Sequence, residues 1–275
     1  MSNNMNATTG NIFIPEVWSK ELIIATEAAL VLAPRLWDMS EAVSEYGDTI
    51  NIPNISNLEA EDKLANVDVQ LQAPTETNTV LLIDTHKASA FVVEDKLSRQ
   101  SKYNLLNIYK DESAKAIGRS VEKSIAALAS AFSQEKGTYN TAITTDVILD
   151  AIELLDEADV PMTERYFAFR PDVKRDLLDL ATYTSSDFVG SDKPVRTGTV
   201  GDLYGVETIM TTNLVKSGNN TNNMLFHRQA IAIAWQQKAR MQMEYSLMKL
   251  GTVCVADALW GLKETRDDHG VLIKT

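Results

Sequence analysis

The sequence has almost no cysteine, since Cys254 is the single one in 275 residues. A lone cysteine excludes an intramolecular disulfide, and it leaves no set of thiolates that could hold a structural zinc ion. A chain of this length can bury a large core without such cross-links. We therefore expect a protein that folds in a reducing, cytoplasmic compartment.

Basic residues are scarce in comparison with acidic ones. Lysine and arginine total 26 against 38 aspartates and glutamates, which gives a formal net charge of −12. This charge has the wrong sign for tight binding to a phosphate backbone. The tryptophans are also scattered along the chain, which favours core or interface positions over a platform for stacking single-stranded bases. We therefore predict no tight binding of nucleic acid.

Long apolar runs are missing from the sequence as well. The longest apolar stretch, LIIATEAALVLA, is shorter than a membrane span and contains Glu27. The first residues, MSNNMNATTGNIF, have neither the basic segment nor the apolar segment of an export signal. The sequence therefore predicts a soluble protein without a cleaved signal peptide and without membrane contact.

The usual sequence motifs of enzymes are not found. The chain contains no Gly-Lys step, which a phosphate-binding loop needs, and no G-x-S-x-G turn, which presents a serine nucleophile. His86, His227 and His269 are too far apart in sequence to form a local metal site, although folding could still bring them together. We therefore predict no catalytic, cofactor-binding or metal-binding residues, and no cofactor.

One acidic stripe is a possible catalytic or Mg²⁺-binding group. It lies in TTDVILDAIELLDEADVP, which has the period of an amphipathic helix, with Thr144 or Thr145 as N-cap and Pro161 after its end. The acidic residues of the stripe are Asp146, Asp150, Glu153 and Glu157. Acidic residues opposite an apolar face ordinarily form the solvated side of a helix. An acidic α+β enzyme that uses the stripe is therefore kept only as an alternative.

Two segments with alternating apolar and polar residues predict a β-ribbon. The first is GDTINIPNIS and the second is TVLLIDTHKASAFVVEDK. Roughly 24 polar and acidic residues separate them without a helical stripe, and a connection that long is often functional or ordered by a partner. We expect the ribbon to project from the molecule and to meet another one.

The connection between the two ribbon strands contains the charged run EAEDK. This run is either a solvated loop or a contact between subunits. Surface ion pairs are individually weak, so a contact role needs many copies of the protein, as a symmetric assembly supplies. The candidate contact residues are Glu59, Glu61, Asp62 and Lys63.

Helices are predicted on both sides of the ribbon. An apolar pattern between Pro15 and Pro34 predicts one helix of about 16 residues. A second pattern, from Asn104 to about Glu135, would span on the order of 45 Å, which is longer than a small domain needs. A further helix opens at Pro171.

The remaining segments predict short strands and turns. RYFAFRP and VETIMTTNLV have strand patterns, and DDHG predicts a hairpin turn before VLIKT. Helices and strands do not alternate in regular βαβ order, which favours the α+β class.

The segment LFHRQAIAIAWQQ, residues 225–237, predicts one continuous strand. Its isoleucines and Trp235 would share one face with His227, and its alanines would share the other face with Arg228. No neighbouring motif makes the His-Arg pair catalytic. We therefore expect His227 to make a structural hydrogen bond and Arg228 to make an ion pair.

Five segments, taken in order, resemble a known family. They are IPEVWSKEL, GDTINIPNI, IDTHKASAFVVEDKLSRQS before the long helix, GTVGDLYGVETIMTTNLV and LFHRQAIAIAWQQ. Their order and spacing over nearly the whole chain resemble the major capsid proteins of tailed bacteriophages, which have the Hong Kong ninety-seven fold. The resemblance implies an α+β fold with an N-terminal arm, an extended β-ribbon called the E-loop, a peripheral domain with a long spine helix, and an axial domain.

The resemblance also implies a division of the chain into structural regions. By analogy these are an N-terminal arm (1–44), the E-loop (45–95), the spine helix of the peripheral domain (96–139), the axial domain (140–222), and a return to the axial and peripheral sheet (223–275).

The function implied by the resemblance is structural and not enzymatic. A major capsid protein self-assembles as hexamers and pentamers into the icosahedral shell of the virion, around double-stranded DNA that it does not recognise by sequence. Assembly would take place in the cytoplasm of the bacterial host. An encapsulin-like nanocompartment shell is the alternative, because it shares the fold.

The resemblance implies partners besides copies of the same chain. Since the family-like segments begin near residue 12, we expect a separate scaffolding protein, together with a portal and a decoration protein. Some relatives weld their shells by lysine to asparagine bonds. Lys63 is the only lysine between the ribbon strands, and no acceptor asparagine or activating glutamate is identified, so we expect no such crosslink.

Overall fold

The computed structural model describes residues 30–43, 47–55, 76–100, 105–179 and 202–275, together with isolated positions between 58 and 73. Twelve strands and four α-helices lie in these residues. The strands are β1 Trp37–Asp38, β2 Thr49–Ile55, β3 Glu76–Leu82, β4 Thr85–Glu94, β5 Gln134–Gly137, β6 Arg165–Phe169, β7 Glu207–Met210, β8 Lys216–Ser217, β9 Asn220–His227, β10 Ile231–Ser246, β11 Gly251–Glu264 and β12 Gly270–Lys274. The helices are α1 Asp95–Gln100, α2 Leu105–Ala127, α3 Thr145–Glu157 and α4 Pro171–Asp179.

A four-stranded sheet is built around the long antiparallel pair β10 and β11. The strand order is β1-β10-β11-β4, and helix α2 packs on the sheet. Ile117, Val121 and Ile125 recur every four residues along α2, and all three belong to one buried apolar cluster with Trp260 of β11. Residues that share one face of the helix therefore pack against residues that share one face of the strand.

A second sheet has six strands and its own apolar core. Its order is β5-β12-β9-β6-β7, with β8 paired to β9. Helix α3 buries Ile148, Ala151 and Leu155 in this core, together with Phe167 of β6. The N-cap of α3 is Thr144, whose hydroxyl accepts the Val147 N–H at 3.4 Å. The predicted strand RYFAF, the helix opening at Pro171 and the Thr144 cap are confirmed.

The β-ribbon consists of β2 and β3, which pair with each other from Thr49↔Leu82 to Ile55↔Glu76. The first predicted arm is confirmed, but the predicted second arm is wrong beyond Leu82. Strand β4 leaves the ribbon and pairs with β11 in the four-stranded sheet. The Ile83 N–H still bonds to the Asp48 carbonyl at 2.8 Å, and Thr85 is the first residue paired with β11, so the chain leaves the ribbon between these two positions.

The predicted helix from Asn104 to Glu135 is too long at its C-terminal end. Helix α2 has 23 residues, about 35 Å, and ends at Ala127 in a 3₁₀ turn, Leu128–Ala131. Strand β5 then begins at Gln134 and pairs in parallel with β12. Gln134 and Glu135 pair with a strand that lies more than 130 residues away in the chain. The spacing of nearby apolar residues carries no information about such a distant partner.

The continuous strand predicted over 225–237 is also wrong. Strand β9 ends at His227, a 3₁₀ turn occupies Arg228–Ala230, and β10 begins at Ile231 in the other sheet. The DDHG segment is likewise a crossover and not a hairpin, because β11 and β12 lie in different sheets. Each segment contains a short 3₁₀ turn at the point where the chain passes from one sheet to the other.

One prediction lies largely outside the described residues. The helix predicted between Pro15 and Pro34 falls mostly on residues 1–29, which are not among the described residues. In the part of the chain that is described, no helix is both long enough and apolar enough to span a membrane.

Candidate assembly surfaces

The outer part of the ribbon is largely exposed. Among the described residues, the buried part of the ribbon is its root, where Ile50 and Leu81 pack with Ala232 and Ala234 of β10. Farther along, exposed side chains belong to Asn51, Pro53, Asn54, Glu76, Thr77 and Asn78. A two-stranded ribbon is marginally stable by itself in water. The outer ribbon is therefore a candidate contact surface among the described residues.

The predicted contact residues lie in the connection beyond the ribbon strands. Asp62 and Lys63 are exposed, whereas Glu59 and Glu61 lie outside the described residues. Two apolar side chains in the same connection were not predicted as contacts. They are Leu58 and Leu71, which are 64% and 96% exposed. Exposed leucines are a stronger reason for a contact than surface charges, because burying them in a partner is favourable.

A second exposed apolar group lies at the turn between β10 and β11, and we call it the hairpin tip. Its members are Tyr245, Leu247, Met248 and Leu250, with Met248 being 95% exposed. Tyr245 donates a hydrogen bond to Asp95 of α1 at 2.7 Å, which fixes the hairpin tip beside that helix. This surface was not predicted from the sequence, although the apolar residues around the turn in EYSLMKLG are its signal.

Glu122 of α2 holds the backbone of residues 31–33. One carboxylate oxygen accepts the backbone N–H groups of Val31 and Leu32 at 2.8 Å, and of Ala33 at 3.4 Å. The side chain is fully buried, and burial raises the pKa of Glu122 although the three N–H donors act in the opposite direction. No local sequence signal marks this glutamate, because its partners lie about 90 residues away.

Asp257 connects three strands of the four-stranded sheet. It accepts hydrogen bonds from His86 of β4 at 3.1 Å, and from Gln237 and Arg240 of β10 at 2.6 and 3.0 Å. Burial alone would raise the pKa of Asp257, but these donors outweigh it and hold the pKa below its ordinary value. The site lies where the β10–β11 register shifts between Gln237 and Arg240. We therefore assign Asp257 a structural role in the shape of the four-stranded sheet.

The acidic stripe is a solvated helix face, as the amphipathic pattern predicts. All four of its carboxylates are exposed, and Asp150 lies 3.7 Å from Lys136. Across the described ranges, no group of three or more histidine, cysteine, aspartate or glutamate side chains is placed to hold a metal ion.

The His-Arg pair has the predicted structural contacts. Arg228 forms an ion pair with Glu164 at 2.7 Å, and His227 accepts the Gln229 N–H at 3.2 Å. The fold also brings His227 and His269 together, with ring centroids 5.6 Å apart. Burial first, and then the neighbouring His269, lower the pKa of His227, so that the neutral ring is favoured.

Comparison with known proteins gives one family and many similar structures. The family model of the phage capsid protein matches residues 46–261. A structure from Mycobacterium phage Che8 is 23% identical, with a TM-score of 0.78, over 89% of this chain and 90% of that one. The mature capsid of bacteriophage PhiM1 is 12% identical, with a TM-score of 0.73, over 89% and 86% of the two chains.

One similar structure comes from outside the phages. It is a virus-like particle from Pyrococcus furiosus, 10% identical, with a TM-score of 0.63, covering 95% of this chain and 99% of that one. No curated protein has a sequence that matches this chain significantly. At such low identities the structural matches show the fold alone, and they confirm the predicted α+β capsid fold.

The family match extends well beyond the ribbon. It begins before β2 and ends in β11, so it includes the ribbon, α2 and most of both sheets. A protein of this kind has a structural and not an enzymatic role, in the shell of the virion. Because the family model matches much more than half of the length of the chain, this chain belongs to the phage capsid protein family.

Proposed function

We propose that this chain is the major capsid protein of a tailed phage, and that hexamers and pentamers of it close into the icosahedral head shell around double-stranded DNA. The observation that carries the proposal is the ribbon, which among the described residues is buried at its root and exposed beyond it. In a closed shell each outer ribbon would lie on a neighbouring subunit. Many identical contacts then give a stable assembly without any single strong site.

The two exposed apolar groups support the same proposal. Leu58 and Leu71 belong to the ribbon connection, and the hairpin tip lies at the end of β10 and β11. Such side chains are buried favourably at about 25 cal/mol per Å² of apolar surface when another subunit covers them. Two separate surfaces allow each subunit to contact more than one neighbour, which a closed shell requires.

The net charge of −12 suits a container for DNA. A wall that bound phosphate groups tightly would hold back DNA that has to enter and leave. A strongly electropositive inner surface in an assembled shell would contradict this part of the proposal.

The regional division remains part of the proposal. It consists of the arm (1–44), the E-loop (45–95), in which the paired ribbon ends at Leu82, the spine-helix region (96–139), in which the helix itself is α2, the axial domain (140–222) and the return to the sheet (223–275). A separate scaffolding protein, a portal and a decoration protein are proposed as further partners from the family relation. Mass spectrometry of proteins that copurify with the particles tests their presence.

The experiment is expression of the chain, followed by negative-stain microscopy of the purified protein. We expect uniform closed shells from the natural sequence. In a variant, residues 56–75 are replaced by Asn-Gly, because Ile55 and Glu76 are directly paired and a two-residue turn can join them. We expect this variant to fold, with an unchanged circular dichroism spectrum, but to form no shells.

A matched control removes charge from the body of the molecule instead of altering the ribbon. The double variant Asp146→Asn and Glu153→Gln changes two exposed carboxylates of α3 and is expected to assemble normally. Normal shells from the shortened ribbon would contradict the proposal. Shells that are filled with protein cargo and lack a portal and DNA would favour the nanocompartment alternative. We keep this alternative because the fold is similar to that of the Pyrococcus furiosus particle over nearly the full length of both chains.

A further inference from the structure

Two neighbouring segments carry the chain from one sheet to the other, and together we call them the crossover junction. One is the turn Arg228–Ala230 between β9 and β10, and the other is the segment 265–269 between β11 and β12. The two segments are bonded together, because the Thr265 N–H donates to the Ala230 carbonyl at 2.9 Å. The turn Arg228–Ala230 therefore holds the ends of strands that belong to both sheets.

His227 caps this turn through a ring nitrogen. Its Nδ1 atom accepts the Gln229 N–H at 3.2 Å, and its backbone has the extended conformation of an N-cap residue, with φ −91° and ψ 152°. An imidazole nitrogen accepts a hydrogen bond only while it carries no proton, and both nitrogens are donors in the protonated ring. The cap therefore requires the neutral form of His227, with its hydrogen on Nε2.

A second buried histidine, from the other segment of the junction, lies against the first. The rings of His227 and His269 have centroids 5.6 Å apart and meet edge to face, at an interplanar angle of 73°. The two residues are only 3% and 4% exposed, so water can hardly solvate a charge on either ring. Protonation of both rings would also place two positive charges in contact. The geometry of the pair therefore disfavours the protonated form that the cap cannot use.

The charged groups around the histidine pair come from both segments of the junction and from the start of β6. They are Glu164, Arg165, Arg228, Arg266 and Asp268. Glu164 favours a proton on His227, but it is already paired with Arg228 at 2.7 Å. Arg165 and Arg266 oppose the proton, and Asp268 lies 3.0 Å from Nδ1 of the second ring. These neighbours therefore do not offset the burial of the first ring.

We propose that the crossover junction is an acid-sensitive element, in which protonation of His227 removes the cap from the turn Arg228–Ala230. At neutral pH the Nδ1 lone pair accepts the Gln229 N–H. In acid a proton takes up that lone pair, the two N–H groups face each other, and a positive charge lies against His269. The turn is then less stable than at neutral pH. This inference concerns the subunit itself and does not depend on the proposed function.

The pH dependence has a definite sign. Burial first, and then His269, lower the pKa of His227 from 6.5. A histidine whose pKa is lowered by folding contributes stability above its unfolded value, and this contribution is lost as the pH falls through the folded value. The loss therefore begins below pH 6.5. Glu264 has the opposite dependence, because burial raises its pKa to about 7, so a local measurement at the turn is needed.

The test is hydrogen exchange of the Gln229 amide in the full chain, corrected for the intrinsic pH dependence of exchange. From pH 8 to pH 5 we expect protection in the natural protein to fall by about fivefold, which is the effect of losing one N-cap. In His227→Asn the new side chain can also cap the turn but cannot titrate, so protection should stay constant. The control is His86→Asn, which changes an exposed histidine and should show the same fall as the natural protein.

A titration of the His227 ring by NMR tests the natural protein without any variant. Its midpoint should lie below 6.5 and coincide with the fall in Gln229 protection. Constant protection overturns the proposal, as does an equal fall in His227→Asn or a ring midpoint at or above 6.5. His269→Asn separates the two histidines, because the fall should move to higher pH once the neighbouring ring is gone. A fall that disappears in this variant assigns the effect to His269 and overturns the proposal.

Discussion

The ribbon and the body of the molecule, by which we mean the two sheets with α2, α3 and α4, have similar alternating sequences but bury them differently. In β11, Ala256, Ala258 and Trp260 are fully buried beneath α2. In β3, Leu81 is buried at the root, whereas Val80 and Leu82 are 39% and 53% exposed. The same pattern therefore stabilises the subunit in one region and presents a surface to other molecules in the other.

The largest effect is expected in the body, from Trp260→Ala. Trp260 is fully buried and its ring lies 5.8 Å from that of Trp235. Removing it leaves a cavity between β11 and α2, so we expect the free energy of unfolding to fall by about 4 kcal/mol. Urea unfolding of the subunit measures this change. Trp260→Phe should cost much less, partly because the Trp260 N–H has no partner among the described residues.

A result near zero for Trp260→Ala would remove the distinction between ribbon and body. It would mean that the interface between α2 and the sheet contributes no more to subunit stability than the exposed ribbon does.

An intermediate effect is expected at the border of the two regions, from Gly261→Ala. A Cβ atom at this position would lie 2.3 Å from the Leu82 carbonyl oxygen and 2.9 Å from the Leu81 side chain, so the ribbon root has to move. We expect a loss of about 1–3 kcal/mol in unfolding free energy. Faster hydrogen exchange of the Ile83 amide, which bonds to Asp48, would show that the displacement is at the root. Unchanged exchange there, with lower stability, would place the strain in β11 instead.

The smallest effect on stability is expected in the outer ribbon, from Val80→Asp. Val80 is already 39% exposed, so the free energy of unfolding should change by no more than about 0.5 kcal/mol. The yield of closed shells should nevertheless fall sharply, because a charge would be buried in the contact with a neighbour. Counting particles by electron microscopy after size-exclusion chromatography measures the yield.

Leu149→Asp is the matched control for the ribbon variant. Leu149 is 42% exposed on α3, and the same charge is introduced on the body. If both variants assemble equally well, or equally badly, the ribbon is not distinguished from the rest of the surface.

Local features of the fold were predictable from neighbouring residues. The start of α3 at Thr144, strand β6 and the first ribbon strand depend on caps and periods that lie within a few positions of one another. The structural contacts of His227 and Arg228 followed from the absence of catalytic partners in the sequence. The family itself was recognised from the order of five short segments.

The candidate assembly surfaces were predicted only in part. The exposed ribbon was expected, but the predicted contact residues were the charged ones and did not include Leu58 and Leu71. The hairpin tip was not predicted. An exposed leucine and a buried one look the same in a sequence. Which of the two a residue becomes depends on whether another element covers it.

The sequence by itself determined where α3, α4, β2 and β6 lie, that the class is α+β, and that the chain resembles phage capsid proteins. Only the tertiary structure decided that β4 leaves the ribbon, that β9 and β10 belong to different sheets, and that Glu122 holds residues 31–33. The physical reason is the distance along the chain over which each interaction acts. Helix and strand periods arise between near neighbours, whereas strand pairing and the hydrogen bonds of a buried carboxyl group depend on residues far away in the chain.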